Sequence, residues 1–218
     1  MCSLLRAFSV LKSIWINFRY LPFSKAIKLP LLVSHDTVFK CFRGGEIILP
    51  EIIHFGMIHI GFHEVTVATK TRTTLRVWGR LQFNGTAFIG RSTRIYVGKD
   101  AQLILGDDFK VSASSSIMCC QRIEFGKNIQ FSWDCLVMDS DTHPIIYEDG
   151  SESITDKPVT FGNDIWIGCR STILKGSAIP SNCVIGANTI ITGQAFEGNS
   201  IIAGNPPHVV KKIKGWKI

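Results

Sequence analysis

The stretch from residue 161 to residue 192, FGNDIWIGCRSTILKGSAIPSNCVIGANTIIT, decides the fold of this chain. Within it, a large aliphatic or aromatic side chain recurs at every sixth position. The recurring residues are Phe161, Ile167, Ile173, Ile179, Ile185 and Ile191. A period of six matches neither an α-helix nor a simple alternating strand, and it is typical of a chain that winds around a triangular prism. We therefore predict an all-β fold, a parallel β-helix in which the large residues fill the prism.

The position four residues after each large residue is small in all cases but the first. These positions hold Ile165, Ser171, Ser177, Cys183, Thr189 and Ala195. A small side chain fits near a corner, where the prism leaves little room, and three repeats close one turn of roughly 18 residues. The same pattern, with slips in phase, extends back to Phe83, so that about six turns fit between Phe83 and Pro206.

The repeat fails between Val137 and Phe161. The chain there is acidic and polar and is interrupted by proline and glycine, which predicts a loop extruded from the prism. Long loops in compact domains are usually functional. We divide the chain into a helical and extended arm (1–45), a β-helix domain (46–210) and a basic tail (211–218).

The formal net charge of +7 is concentrated at the two ends of the chain. Such ends favour an anionic partner, which leaves a phosphorylated cofactor, an anionic lipid surface or nucleic acid open. Neither an aromatic–basic platform nor a helix-turn-helix is visible, so we expect no nucleic-acid binding. The seven cysteines lack paired spacing, which indicates buried thiols in a reducing cytoplasm.

Residues 3–20 place apolar side chains at helical spacing. The predicted apolar face holds Leu4, Leu5, Phe8, Leu11, Trp15 and Phe18. We favour a helix that packs this face on the side of the prism. The alternative is a helix at a membrane surface, which would make the protein peripheral to the inner membrane. Basic residues interrupt the apolar runs, so we expect neither a signal peptide nor a spanning helix.

The motifs Asn163-Asp-Ile-Trp-Ile-Gly168 and Ala203-Gly-Asn-Pro-Pro207, together with the repeat phase and the loop position, resemble those of the hexapeptide-repeat acyltransferases. The most similar branch is that of the maltose and galactoside O-acetyltransferases and their relatives in bacterial polysaccharide gene clusters. The resemblance covers residues 83–214. It implies a left-handed coil, a homotrimer and acetyl-CoA as co-substrate between neighbouring subunits, without a metal.

In that family a histidine followed by proline in the extruded loop is the catalytic base, and His143-Pro144 matches it here. An imidazole can remove the proton of an alcohol near neutral pH and return it to the departing thiolate. Asp139 and Asp141 flank the base and are candidates to orient it, to contact a sugar acceptor or only to solvate the loop. Ser112 and Ser114 lie near the family's acceptor-binding position, although the asparagine that is common there is missing.

The resemblance also implies a set of residues around the cofactor. The backbone beside Gly168, Cys169 and Ala187 matches the positions that hold the pantetheine arm. The remaining cofactor candidates are Trp166, Thr192, Gly193, Asn205, Pro206, Lys211 and Lys212. The two lysines follow the Asn-Pro-Pro turn, where their charge suits the phosphates of the cofactor. Cys169 has no neighbouring base in the sequence pattern, so we expect no nucleophilic role for it.

We therefore expect an enzyme that transfers an acetyl group from acetyl-CoA to a sugar hydroxyl, in the biosynthesis of a surface polysaccharide or glycolipid. Three alternatives remain open: inactivation of an antibiotic hydroxyl, N-acetylation of an amino sugar, and a non-enzymatic scaffold of the same fold. A zinc enzyme of this shape would need three histidines, and the recognisable prism holds only His143 and His208.

Overall fold

The computed structural model describes residues 2–64 and 71–217, and it describes the side chains of the first helix from Phe8 onward. Two helices, α1 (Cys2–Tyr20) and α2 (Phe23–Ala26), precede the strands. The strands are β1 (Leu31–Val33), β2 (Val38–Cys41), β3 (Glu46–Ile48), β4 (Ile58–Phe62), β5 (Thr74–Val77), β6 (Arg80–Phe83), β7 (Ala87–Gly90), β8 (Arg94–Val97), β9 (Gln102–Leu105), β10 (Phe109–Ala113), β11 (Ser116–Cys119), β12 (Arg122–Phe125), β13 (Ile129–Trp133), β14 (Leu136–Met138), β15 (Val159–Phe161), β16 (Ile165–Ile167), β17 (Thr172–Ile173), β18 (Ala178–Ile179), β19 (Cys183–Ile185), β20 (Ile190–Ile191), β21 (Ser200–Gly204) and β22 (Pro207–Lys212).

The strands form three parallel sheets, the faces of a prism, because every third strand returns to the same sheet. The first face runs β1-β4-β7-β10-β13-β16-β19-β21-β22, the second β2-β5-β8-β11-β14-β17-β20 and the third β3-β6-β9-β12-β15-β18. Only β22 is antiparallel among the strand pairs described, and it closes the last coil against β21. We call the corner between the first and second faces the first edge, and that between the second and third faces the second edge.

The recurring large residues fill the prism. Those from Phe161 to Ile191 are all buried, and so are the small residues Ser171, Ser177 and Thr189 at the corners. In the register, Phe161 lies over Phe125 and Ile167 over Phe131, so each inward residue stacks on its equivalent one coil away. The predicted parallel β-helix is therefore confirmed.

The coil beneath the extruded loop has an aromatic core. The rings of Phe125 and Phe161 stack with centroids 4.5 Å apart, and Phe109 and Phe131 approach Phe125 to 5.0 and 5.6 Å. All four side chains are buried, and burying one phenylalanine contributes about 1.5–3 kcal/mol. This rigid layer supports the point at which the loop leaves the prism.

The coil begins earlier than the sequence pattern indicates. The strand β1 pairs with β4 and β2 pairs with β5, so the first coil starts at Leu31, inside the range assigned to the arm. The first coils contain irregular connections, which hide the period of six. As a domain boundary, the division at residue 45 stays a prediction.

The helix α1 packs on the prism with the opposite face from the one predicted. Ser13 and Asn17 face β1: the amide of Asn17 donates to the carbonyl of Leu31 at 2.7 Å, and the N–H of Val33 donates to the Ser13 hydroxyl at 2.8 Å. The predicted apolar face is exposed instead at Phe8, Leu11, Trp15 and Phe18. Leu4 and Leu5 lie outside the described side chains. A free strand edge presents N–H and C=O groups, and polar side chains satisfy these groups better than apolar ones.

Within the described part of the chain, no helix combines the length and the apolar composition that crossing a bilayer requires. The described cysteines are all free thiols.

Candidate active site

The loop of residues 139–158 leaves the prism at the second edge, between β14 and β15. Two isolated antiparallel bridges, Ser140 to Asp156 and Ile146 to Glu152, fold it back on itself. The N–H of Asp141 donates to the carbonyl of Thr155 at 3.0 Å. The loop is therefore a projecting ribbon with its own hydrogen bonds, as the failure of the repeat predicts.

Asp139 anchors the start of this ribbon. It is fully buried, and its carboxylate accepts hydrogen bonds from the N–H groups of Cys120, Gln121 and Arg122 at 2.6–2.8 Å. A carboxylate that is buried and occupied by three donors cannot reach a sugar. The assignment of Asp139 to acceptor binding is therefore corrected: it fixes the corner from which the loop departs.

Asp141 is held by a residue of the next coil. Its carboxylate forms an ion pair with the ammonium of Lys175, which also donates to the carbonyl of Ile154. Lys175 thus ties both strands of the ribbon to the second edge. The backbone of Thr142 then turns through the left-handed region at φ 64°, directly before His143.

His143 follows this turn and is exposed. Within the described residues its ring has no hydrogen-bond partner, and the neighbouring Asp141 is committed to Lys175. The imidazole is therefore presented to solvent at the tip of a turn whose base is fixed. A base that is to meet a substrate on another surface requires this kind of presentation.

The proposed pantetheine positions lie together on the first edge. The N–H of Gly168 donates to the carbonyl of Ile185 at 2.8 Å, and the N–H of Asn188 donates to the carbonyl of Cys169 at 3.0 Å. A Cβ on Gly168 would lie 2.7 Å from the backbone nitrogen of Ala187, so only glycine allows the coils to approach this closely. Ala187 is exposed and Cys169 is half-buried.

Trp166, Ser112 and Ser114 lie on the first face or its border with the first edge. The indole N–H of Trp166 donates to the Ser132 hydroxyl at 3.2 Å, and its ring lies 6.4 Å from that of Trp216. The hydroxyl of Ser112 donates to the carbonyl of Phe131 at 2.9 Å. Ser114 adopts a left-handed φ of 52° at the corner itself.

The other cofactor candidates are divided between two places. Thr192 and Gly193 lie at the second edge, where the N–H of Gly193 donates to the Ser177 hydroxyl at 3.1 Å. Asn205 and Pro206 form the turn between β21 and β22 through a cis peptide bond. The strand β22 carries both lysines on the first face.

The two lysines of β22 differ in their surroundings. The ammonium of Lys212 is 2.5 Å from the carboxylate of Glu197, whereas Lys211 is exposed and has no ion pair among the described residues. Lys211 is therefore the cation of this pair that remains available to a phosphate.

One chain does not bring all these residues together. The acceptor and pantetheine candidates Ser112, Ser114, Gly168, Cys169 and Ala187 share the first face and edge, whereas His143 projects from the second edge. The full width of the second face separates the two groups. His143 and the first-edge candidates can meet only between two copies of the chain or after a large movement of the loop.

Two residues of these groups, Lys175 and Trp216, are not predicted by any motif in the sequence. Lys175 holds Asp141, and the only signal for it is a basic residue beside a corner glycine, which is common on surfaces. Trp216 lies beside Trp166, and its indole N–H donates to the carbonyl of Asp164 at 2.9 Å. A tryptophan in a basic tail is the signal that could have pointed to this contact.

Among the described residues, no three His, Cys, Asp or Glu side chains lie close enough to hold a metal ion.

No protein-family model matches the chain. An uncharacterized 24.8 kDa protein in the cps region of Klebsiella pneumoniae is 29% identical over 204 residues, which cover 94% of this chain and 89% of that protein. The galactoside O-acetyltransferase of Escherichia coli K12 is 27% identical over 120 residues, which cover 55% of this chain and 58% of that enzyme. The chain therefore spans less than two thirds of the length of the galactoside O-acetyltransferase.

Among solved structures, the polySia specific acetyltransferase NeuO matches with a TM-score of 0.52 at 18% identity, over 84% of this chain and 85% of that chain. This likeness concerns the fold, and it confirms the left-handed parallel β-helix that the motifs imply. We conclude that the chain has the fold of the β-helix acetyltransferases and is similar in sequence to acetyltransferases of the galactoside O-acetyltransferase type.

Proposed function

We propose that the protein is a homotrimeric O-acetyltransferase that transfers the acetyl group of acetyl-CoA to a sugar hydroxyl of a surface polysaccharide or glycolipid. The galactoside enzyme supplies the precedent for a sugar hydroxyl, and the relative in the cps region supports a polysaccharide context. The observation that carries the proposal is the separation of His143 from the first-edge residues, because it calls for a site built by two protomers.

The second face is suited to join protomers. Its outward side carries half-buried apolar residues in the coils around the loop, namely Met118, Leu136, Met138, Leu174 and Ile190. The outward side of the third face instead carries an ion pair between Arg122 and Glu124 at 2.7 Å. Apolar surface gains most from burial. Because the second face lies between the two edges, its contact with a neighbour would bring one protomer's loop to the other's first edge.

In this arrangement the acyl donor lies along the first edge. Within the described chain the N–H groups of Cys169 and Ala187 have no hydrogen-bond acceptor, so they remain available to the amide oxygens of a pantetheine arm. Lys211 offers a cation farther along the same face for the phosphates. Acetyl-CoA supplies the thioester, whose carbonyl carbon the acceptor attacks.

His143 of the neighbouring protomer acts as the general base. Its imidazole takes the proton of the sugar hydroxyl as the oxygen attacks the thioester carbon, and it returns that proton to the thiolate of coenzyme A as the carbon–sulfur bond breaks. Asp141 does not bind the acceptor in this proposal. It positions the base through Lys175, since their ion pair holds the ribbon.

A complementation experiment tests the shared site. His143→Ala removes the base, and Ala187→Trp fills the proposed pantetheine position at an exposed site where the fold tolerates bulk. Each variant alone should lose nearly all acetyl transfer to a panel of glycans. If they are co-expressed, random mixing should restore about a quarter of the wild-type sites, because only some neighbouring pairs combine an intact loop with an intact first edge.

The control is a mixture of separately purified trimers that are not allowed to exchange subunits, and it should remain inactive. If verified mixed trimers remain inactive, the base and the donor site belong to one chain. Zinc in stoichiometric amount, or a trimer that lacks any transfer activity, would favour a different role for the fold.

A further inference from the structure

The helix α1 is amphipathic, but its polar side faces the protein and its apolar side faces the solvent. Its inner side carries the polar residues Ser9, Ser13 and Asn17, which bond to the backbone of β1 and of His35. Its outer side is apolar throughout the described turns: Phe8, Val10, Leu11, Ile14, Trp15 and Phe18 are all exposed. Exposed apolar surface of this kind marks a contact site.

This surface continues beyond α1. The ring of Phe23 lies 6.0 Å from that of Phe18, and Ile27 is exposed after α2. We call the eight exposed residues Phe8, Val10, Leu11, Ile14, Trp15, Phe18, Phe23 and Ile27 the end face. Beside it, a groove of about 680 Å³ opens between Val10 and Ile14 on one side and Leu32, Phe55 and Phe62 on the other. The groove extends the apolar surface into the body of the prism.

The end face points along the axis of the prism. In parallel strands the N–H and C=O groups point toward the neighbouring coil, and α1 takes the place of a neighbour for Leu31 and Val33. The side of α1 opposite these bonds therefore faces away from the coils, at the end of the stack where the first coil lies.

The segment that forms the end face carries basic side chains and no acidic ones. Residues 1–35 contain five Lys and Arg residues and no Asp or Glu, and the first acidic residue is Asp36. The side chains of Arg19 and Lys28 are exposed at this end. Asp36 is paired with Arg91 at 3.3 Å, so it does not oppose them. A cationic rim around aromatic and aliphatic side chains complements the phosphates and acyl chains of an anionic bilayer.

We propose that the end face docks the protein on the surface of an anionic phospholipid bilayer, with α1 lying in the interfacial plane. The helix is too polar on its inner side to be immersed, and its 19 residues carry three basic side chains. Leu11, Trp15 and Phe18 enter the headgroup and acyl boundary, while Arg19 and Lys28 meet lipid phosphates. A second copy of the chain would have to match this cationic rim with its own, which opposes pairing of two end faces.

Co-sedimentation with vesicles tests the proposal on the full chain. Wild-type protein should bind vesicles of phosphatidylcholine mixed with phosphatidylglycerol more strongly than pure phosphatidylcholine, and added salt should weaken the binding. Leu11→Gln, Trp15→Gln and Phe18→Gln combined should lower the partition coefficient by about a hundredfold, because each side chain loses its apolar burial. Arg19→Gln with Lys28→Gln should remove most of the preference for the anionic vesicles.

The matched control replaces three exposed apolar residues of the loop, Ile145→Gln, Ile146→Gln and Ile154→Gln, which lie far from the end face. It should bind like wild type. Circular dichroism should show the same fold for every variant, since only exposed side chains change. Equal binding by the α1 variant and wild type would overturn the proposal.

Sedimentation velocity without lipid separates the bilayer from a second copy. The end-face variant and wild type should have the same mass in solution. If the variant has a lower mass than wild type, and if wild-type protein does not bind vesicles, then the end face joins copies of the chain. The proposal would then be wrong.

Discussion

The Oδ1 atom of Asp139 accepts a hydrogen bond of 2.6 Å from the backbone N–H of Cys120, directly below the loop that carries His143. The other oxygen accepts from Gln121 and Arg122 at 2.8 and 2.7 Å. Charge-assisted bonds to a buried carboxylate are strong, and an unsatisfied partner is costly. This contact therefore links the stability of one corner to the position of His143, the proposed base.

Asp139→Asn should lower the free energy of unfolding by about 2–4 kcal/mol, because an amide cannot accept three bonds and turns its own N–H groups toward donors. Urea unfolding measures the loss. Asp149→Asn is the control, since Asp149 bonds only to Ser151 within the exposed loop. An unchanged midpoint for Asp139→Asn would contradict the anchoring role.

His143→Ala should lower the turnover number by about two to four orders of magnitude, the usual contribution of a general base. The exposed ring makes no bond in the described chain, so the fold should be unaffected. Binding of acetyl-CoA, measured by calorimetry, should be preserved. His54→Ala replaces another exposed histidine, on an early coil, and should leave turnover intact. Full turnover by His143→Ala would eliminate the assigned base.

Asp141→Asn and Lys175→Met should each reduce kcat/KM, and the double variant should reduce it no further than Lys175→Met alone, because both changes break one ion pair and only Lys175 also holds Ile154. The melting temperature should change little, since the pair is partly exposed. Additive losses, or a loss confined to Asp141→Asn with a raised KM for the acceptor, would show that Asp141 contacts the sugar directly.

The buried thiols should resist alkylation in the folded protein. Burial raises the pKa of Cys135 to about 11 and also raises that of Cys183. At pH 8 the Cys135 thiol is therefore ionised much less than a thiol with the ordinary pKa of 9.0, and the thiolate is the form that reacts. Mass spectrometry after iodoacetamide should find Cys135 unmodified until denaturant is added.

The raised pKa of Cys135 also makes the free energy of unfolding depend on pH. A thiol whose pKa is higher in the folded state stabilises that state below its unfolded pKa, and this contribution is lost as the pH rises from about 9 to about 11. Cys135→Ala should therefore flatten the alkaline fall in stability.

Cys169→Ser should keep its transfer activity, and its inactivity would reopen a nucleophilic role for this cysteine.

The sequence predicts the fold from the coils in which the period is unbroken. Each residue from Phe161 to Ile191 at sixfold spacing is buried, because a corner of fixed length makes the inward position periodic. The first coils escape detection because their connections vary in length. Periodicity also placed the wrong face of α1 inward, since it assumes an apolar partner, whereas the strand edge at Leu31 and Val33 presents backbone polar groups.

For the candidate site, motifs indicated the loop and the first-edge positions, but not the partners within them. The burial of Asp139 depends on the corner at Cys120, which is distant in sequence and carries no signal for a carboxylate. The pairing of Asp141 with Lys175 likewise arises only when the ribbon folds over the next coil. Contacts between coils are set by stacking, which a one-dimensional pattern does not encode.

The position of α1 at one end of the stack determines how far His143 would lie from a bilayer that α1 contacts. Four strand spacings of about 4.8 Å separate β1 from β13, the strand of the loop-bearing coil, and the thickness of α1 adds roughly 10 Å. With α1 resting on lipid headgroups, His143 would stand about 30 Å above them. Such an enzyme would modify sugars that lie several residues from the lipid in a lipid-linked glycan. It would not reach the sugar that is attached to the lipid itself.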